Sequence, residues 1–384
     1  MFALLLMLQF PSDIVVTGQK LEQVQAECAA GGCTPLRDAQ ATIALAEVQF
    51  RDGQYQKAKA LLAAATSRNA KYAAQAPRPV AALYEAYATV ALHEGNKLDY
   101  RRATSKQVET LRDNLPPDDP AVFAATTAYG DMWIEMRRYR EAEAAFSAAE
   151  KTAMASGQNE AAFVANMKRA WIKSALGRGK EAVSMLDALA RRPVAQQPSY
   201  ALALRVLRLR LAAQNAHEGE IDRLVAQIGQ EHDGAPTLIY APAYEDDAVT
   251  KANNASRAFD STNAIDVGSS ETSSIRWADV GFSIRADGHT ADIEVLRGGG
   301  AKGWLAPALR QIAGRRYSAT GGANVASGQA AYRVERYTLR TEYIVPKNSL
   351  IARRAPTGGF DVLDLTQAPA APPAEERGTP HPIQ

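Results

Sequence analysis

The chain of 384 residues is poor in the side chains on which most reactive chemistry draws. It has two cysteines, Cys28 and Cys33, and five histidines, His93, His217, His232, His289 and His381. The cysteines enclose four residues, which matches neither a zinc-ligand pair nor a redox C-x-x-C, and the histidines fall at no metal-ligand spacing. No G-x-S-x-G, H-E-x-x-H or phosphate-loop pattern occurs. The stretch "RGGGAKG" at 297–303 has glycines and a lysine but lacks the Ser/Thr and the spacing of a phosphate cradle, so it reads as a connector. The Asp-Asp pairs at 118–119 and 246–247 fall in turn-like stretches and read as turns. Catalytic, cofactor and metal residues are therefore predicted to be none. Long apolar runs are missing too: Met1 to Phe10 falls far short of the roughly 20 residues that span a bilayer, so no transmembrane helix is expected.

Charge of one sign is scarce overall, at a net +2, but it is unevenly spread. Between Arg276 and Arg354, 13 Lys/Arg stand against 6 Asp/Glu, which leaves the remainder of the chain acidic. A basic module of this kind invites an anionic partner through long-range attraction, and solubility is the plainer reading. No nucleic-acid partner is expected.

The apolar start has the length of the apolar part of an export signal, without its basic beginning or a small-x-small cleavage site. No cysteine follows at a lipidation spacing. In an oxidising compartment Cys28 and Cys33 can bridge. Together these favour export, and a periplasmic location is the expectation, with a cytoplasmic one as the alternative. Behind the start, "DIVVTGQK" at 13–20 reads as a short extended stretch with nothing nearby to pair with.

What the chain does have is a repeat. "RDGQYQKAKALLAAA" and "MRRYREAEAAFSAAE" share one plan: a turn, then Tyr55, Ala58, Leu62, Ala65 in one and Tyr139, Ala142, Phe146, Ala149 in the other. The 3–4 spacing puts each set on one helix face. The turns recur at Gly53, Gly95, Arg137, Gly177 and Gly219, spaced 42, 42, 40 and 42, each preceded at seven residues by Ala46, Ala88, Gly130, Ala170 or Ala212. This predicts five helical hairpins over 38–231 that stack to bury a shared core. Tyr100, Leu224 and Gly179 depart from the pattern. The array resembles the tetratricopeptide repeat in a form of about 42 residues. That resemblance implies a protein-binding solenoid rather than an enzyme. Trp133, Trp171 and "RVLRLRL" at 205–211 read as core and solvated helix face rather than groove.

After a polar linker at 232–274 with one short extended piece, the texture becomes β-rich. Val280, Phe282 and Ile284 alternate with polar residues, Asp287-Gly288 marks a tight turn, and Ile293 and Val295 resume the alternation, a β-hairpin. Trp304, Leu305, Ala308, Leu309 and Ile312 form one side of a short helix, and "AAYRVERYTLRTEYIV" is a long strand. The order β-β-α-β, with "DG", "VLRGGG" and "RRYSAT", resembles the C-terminal domain of TonB-type energy transducers over Ile275 to Val345. A proline usual after Arg316-Tyr317 is absent. The resemblance implies that an extended peptide adds to a sheet edge. The candidate edge is the last strand, with Arg336, Tyr337, Leu339, Arg340 and Tyr343 as partner-binding residues; the competing reading makes that strand the sheet's centre. "DIVVTGQK" is similar to the short receptor segment that pairs with such domains, which makes it a candidate strand for that edge. Residues 351–384 are Pro/Ala-rich and predicted to be disordered.

The sequence thus predicts an α+β multidomain chain: lead-in 1–37, an all-α helical-hairpin solenoid at 38–231, linker 232–274, a small α+β domain at 275–350 and a tail at 351–384. The function it points to is a non-enzymatic adaptor of the cell envelope that binds protein partners, outer-membrane components among them. The alternative is an enzyme or enzyme subunit with a site at the junction of array and β module.

Overall fold

The computed structural model describes residues 18–213, 219–220, 222–223, 236–244, 275–298, 302–318, 331–345, 350–351 and 353–366. The first half is a helical-hairpin array: α1 (Gly18–Ala29), α2 (Pro35–Arg51), α3 (Tyr55–Asn69), α4 (Pro77–Glu94), α5 (Lys97–Asn114), α6 (Pro120–Glu135), α7 (Tyr139–Ala155), α8 (Asn159–Ala175), α9 (Gly179–Ala190) and α10 (Pro198–Ala213). Local chemistry sets the helix ends. Pro35, Pro77, Pro120 and Pro198 open four of the helices, where a missing N–H is harmless. Thr34, Asn96 and Asp119 cap the exposed N–H groups of α2, α5 and α6.

The recurring turn positions do what the spacing predicts. Gly53, Gly95 and Gly177 sit at φ +75, +84 and +76, and Arg137 occupies the same left-handed region at +57. The small residues seven before each turn are the close contacts between paired helices. A Cβ added at Gly130 would overlap the ring of Phe146. Tyr55, Ala58, Leu62 and Ala65 are all buried in the first pair, and Ala142, Phe146 and Ala149 in the third. Trp133 and Trp171 pack against the Ala142–Phe146–Ile172 cluster, as core. Of the fifth hairpin, α10 and the helical residues 219–220 and 222–223 are described.

The lead-in differs from expectation. It is helical from Gly18, so Gly18 to Lys20 of the "DIVVTGQK" stretch belong to α1 rather than to an extended segment; residues 13–17 lie outside the described residues. The segment "KLEQVQAEC" packs α1 on α2, and a disulfide from Cys28 to Cys33 ties the end of α1 to the loop before α2.

The second half is built on a four-stranded antiparallel sheet of order β3-β2-β5-β6, from β2 (Trp277–Ile284), β3 (Thr290–Gly298), β5 (Ala331–Ile344) and β6 (Arg353–Asp364). A short helix, α11 (Ala306–Ala313), covers one face. Its Ala308 and Ile312, with Leu305, bury Ala278, Val280, Phe282, Ile284, Tyr337, Leu339 and Phe360. The hairpin and helix lie where the sequence places them. The tail does not, because residues 353–364 are a strand. Phe360 and Val362 face the core beside Tyr337, and Asp361 and Leu363 face the other way. The linker's extended piece is β1 (Leu238–Tyr240), which pairs with β4 (Arg316–Tyr317).

Candidate functional site

The long strand β5 pairs with β2 along one side and with β6 along the other. The expectation that Arg336 to Tyr343 form an open edge is therefore corrected: β6, drawn from the supposed tail, fills that side. Side-chain alternation, with a register shift between Leu339 and Thr341, divides the five candidate residues between the two faces. Tyr337 and Leu339 point to the α11 side, where the Tyr337 hydroxyl donates to Glu335 at 2.6 Å and accepts from Arg315 at 2.7 Å. Arg336, Arg340 and Tyr343 face the helical array.

Arg336 is fully buried. Its cross-strand partner Asp279 accepts from Nε at 2.6 Å and from Nη2 at 2.9 Å. The remaining donors reach the carbonyls of Phe50 and Arg51, the second at 2.6 Å. Those carbonyls belong to the last turn of α2, where helix carbonyls lack partners within the helix and a cation is favoured by the helix dipole. The guanidinium lies 4.0 Å from the centre of the Trp277 ring and 5.1 Å from that of Phe50. Arg336 is thus the C-terminal cap of an array helix, supplied by the sheet. Trp277 in turn lies so close to Gly53 that a Cβ there would overlap its indole.

The α4–α5 and α6–α7 turns are met in the same way. At the end of α4, Glu94 is fully buried and accepts from Lys59, Gln56, the Tyr343 hydroxyl and Arg354, at 2.8, 2.6, 2.5 and 2.9 Å. Burial alone would raise its pKa; the Lys59 and Tyr343 hydrogen bonds outweigh that and hold it below the usual value. Thr341 packs on Gly95 with no space for a side chain at that position. At the end of α6, Glu135 accepts from Arg340 at 2.8 Å, and Arg340 also donates to Asp361 at 2.8 Å. At the far end Arg210 of α10 donates to the carbonyls of Leu238 and Ile239, and Arg316 donates to Asp222 at 2.8 Å. The sheet module therefore touches the first three turns of the array and, with β1 and β4, α10 and Asp222. Four cations of the basic stretch, Arg297, Arg354, Arg340 and Arg316, pair with the array's Asp52, Glu94, Glu135 and Asp222, with Arg297 3.8 Å from Asp52.

Two seam groups titrate with opposite sign. Burial, then the nearby Arg336 and Arg340, pushes His93 down to about 3, from 6.5; its Nδ1 lies 2.8 Å from the Thr338 hydroxyl. The stability this lends is present above 6.5 and is lost as pH falls towards 3. Burial pushes Asp361 up to about 6 from 3.8, against the pull of Arg340. Its contribution is present below 3.8 and is lost as pH rises through 6. Between these values the two effects offset each other. In Asp361→Asn only the His93 effect remains, so urea midpoints should fall more steeply on acidification than in the wild type, by up to about 1.4 kcal/mol per pH unit. Parallel pH profiles of variant and wild type would refute this.

Where the ends of α4 and α6 meet the sheet, the seam has no room for a ligand. The space between Leu92, Gly95, Tyr100, Glu135, Arg340 and Asp361 is about 10 Å³, no more than one water requires. Of the junction stretch 232–275 weighed for an enzyme site, residues 232–235 and 245–274 lie outside the described residues. No cluster of metal-ligating side chains occurs among the described residues, and no described helix is long and apolar enough to cross a membrane.

The open concavity is on the array. A cavity of about 420 Å³ lies between α5, α6 and α7. Val108, Val122, Phe123 and Tyr129 supply apolar surface, and Ala145, Ala148 and Ala149 leave the α7 wall low. Ser105, Glu109, Arg112, Thr126 and Gln158 give it a polar rim. Sequence reasoning missed this site because its alanines follow the same small-residue pattern as the core. The acidic partners of the seam were signalled only by the charge imbalance.

No protein-family profile and no curated protein matches the chain. Solved structures match its helical half. A kinesin light chain with nearly identical TPR-like repeats from Podosopora anserina is 19% identical, at a TM-score of 0.40, over 50% of this chain and 93% of that one. A signal transduction ATPase with a tetratricopeptide repeat sensor from Pyrococcus horikoshii is 14% identical at 0.43, over 56% of this chain and 34% of its own. The Rap conjugation gene regulator of plasmid pLS20, in complex with the Phr* peptide, is 11% identical at 0.36, over 58% of each chain.

Proposed function

We propose that the chain is a non-enzymatic protein-interaction adaptor of the cell envelope, and that its partner docks in the groove between α5, α6 and α7. The observation that carries this reading is the contrast between the filled seam and the open cavity of about 420 Å³, mostly apolar with a polar rim, the form that recognition sites take. The envelope placement draws on the bridge between Cys28 and Cys33, since disulfides persist in oxidising compartments. The proposal includes the sequence resemblance of the β-β-α segment to TonB-type C-terminal domains, with strand addition by a second partner at the outer strands β3 and β6.

Ala148 is exposed on the α7 wall, so Ala148→Trp fills the groove without disturbing the core. An envelope fraction passed over wild-type protein is expected to yield a retained partner that Ala148→Trp loses by tenfold or more, roughly the effect of a blocked anchor pocket. Equal retention by both proteins would remove the groove from the account. Thiol labelling of whole cells tests the compartment: unlabelled Cys28 and Cys33 fit export, and labelled ones do not.

A further inference from the structure

The turn ends of the array divide into two chemical halves. Those under the sheet offer acids, Asp52, Glu94 and Glu135, to the sheet's arginines. The turn ends beyond it carry Arg137, Arg138, Arg140, Arg178 and Lys180, all exposed. Among the described residues Arg138 and Arg178 pair only with their own helix neighbours three residues on, Glu141 and Glu181. Arg137, Arg140 and Lys180 have no ion pair among the described residues. The two turns are held side by side: Lys173 bridges Glu143 at 2.8 Å and Glu181 at 3.4 Å, and the Tyr139 and Trp171 rings meet at 6.1 Å. Arg138 lies over Trp133 at 5.5 Å.

The backbone supplies a second observation. Three of the four described turns place glycine in the left-handed region, and the third places Arg137 there. That conformation is strained for an L side chain, and the Arg137 side chain has no ion pair or hydrogen bond among the described residues that would offset it. Strain held at an exposed cation, where glycine serves elsewhere in the same repeat, points outward to a ligand.

We propose that this basic face, formed by the α6–α7 and α8–α9 turns, binds an acidic polypeptide segment. Guanidinium forks match carboxylates bidentately. The face continues the seam with its charges reversed: Glu135, gripped by Arg340, is two residues before Arg137. It covers two turns, with Glu141 and Glu181 interspersed, whereas nucleic acid calls for an extended basic stripe. The site lies toward the other end of α7 from the proposed groove, so the two can fail independently.

The test is titration of a fluorescein-labelled oligoglutamate peptide into the full chain, Arg137→Gly, the triple variant Arg137→Gly/Arg140→Gln/Lys180→Gln, and the remote charge control Lys57→Gln. Oligoglutamate is expected to bind the wild type. Affinity should fall several-fold in Arg137→Gly and at least roughly tenfold in the triple variant, the scale of one or two charge-assisted hydrogen bonds. Lys57→Gln should bind as the wild type does. Arg137→Gly should melt no lower than wild type, because glycine relieves the turn, which separates recognition from folding. Absent binding, or equal loss in Lys57→Gln, overturns the proposal. So does tighter, variant-sensitive binding of an oligothymidylate or of phosphatidylglycerol vesicles.

Discussion

Arg336→Ala is expected to lower the unfolding free energy by about 3–5 kcal/mol, the scale for removing one partner of a buried ion pair. Asp279 would stay buried with Arg297 as its remaining cation, and the last carbonyls of α2 would lose their cap. Two rings would also lose the guanidinium stacked against them. Arg336→Lys should recover only a small part, because a single ammonium cannot reproduce a fork that bonds a carboxylate and two carbonyls while lying flat on an indole. Urea denaturation of the three proteins measures this. A loss below about 1 kcal/mol would mean that the sheet rests on the array without depending on it.

Shortening the chain has an effect as large. Ending it after residue 366 should leave stability unchanged, since residues 367–384 are rich in Pro and Ala and poor in core-forming side chains. Ending it after residue 352 removes β6. Phe360, buried against Tyr337 and Trp304, is lost with it, and truncation of a buried Phe alone is worth about 3–5 kcal/mol. Arg354 also leaves Glu94, and β5 is left with an unpaired edge of the kind that drives association. The shorter protein is expected to unfold at least about 4 kcal/mol more easily and to self-associate. Equal midpoints and a monomeric elution for both truncations would refute the role of β6.

The array was legible because its signal repeats. Left-handed turns about 42 residues apart, each with a small residue seven before, define stacked hairpins without tertiary information. The β-hairpin at Val280–Val295 was legible from alternation and a Asp-Gly turn. The strand β6 was not, because "FDVLD" is a short alternating stretch set among Pro356, Gly358, Gly359 and an Ala/Pro-rich tail. Missing it turned a central strand into an apparent edge. The charge imbalance was also visible, but a formal count cannot say whether a partner is another molecule or the same chain. Only the fold brings Arg336, Arg340 and Arg354 to the ends of α2, α6 and α4. The α1 helix lost out to the β-branched residues just before it.

The central claim is that the basic sheet is held by acids of the chain's own array. Glu135 and Arg340 offer the cleanest pair, since Arg340 is the cation bonded to Glu135 and the bond crosses the seam. A double-mutant cycle with Glu135→Gln and Arg340→Met, read by urea denaturation, isolates it. The account predicts a coupling energy of about 1–3 kcal/mol for this half-buried pair. Additivity within about 0.3 kcal/mol would contradict it, and would return the basic excess to an outside partner.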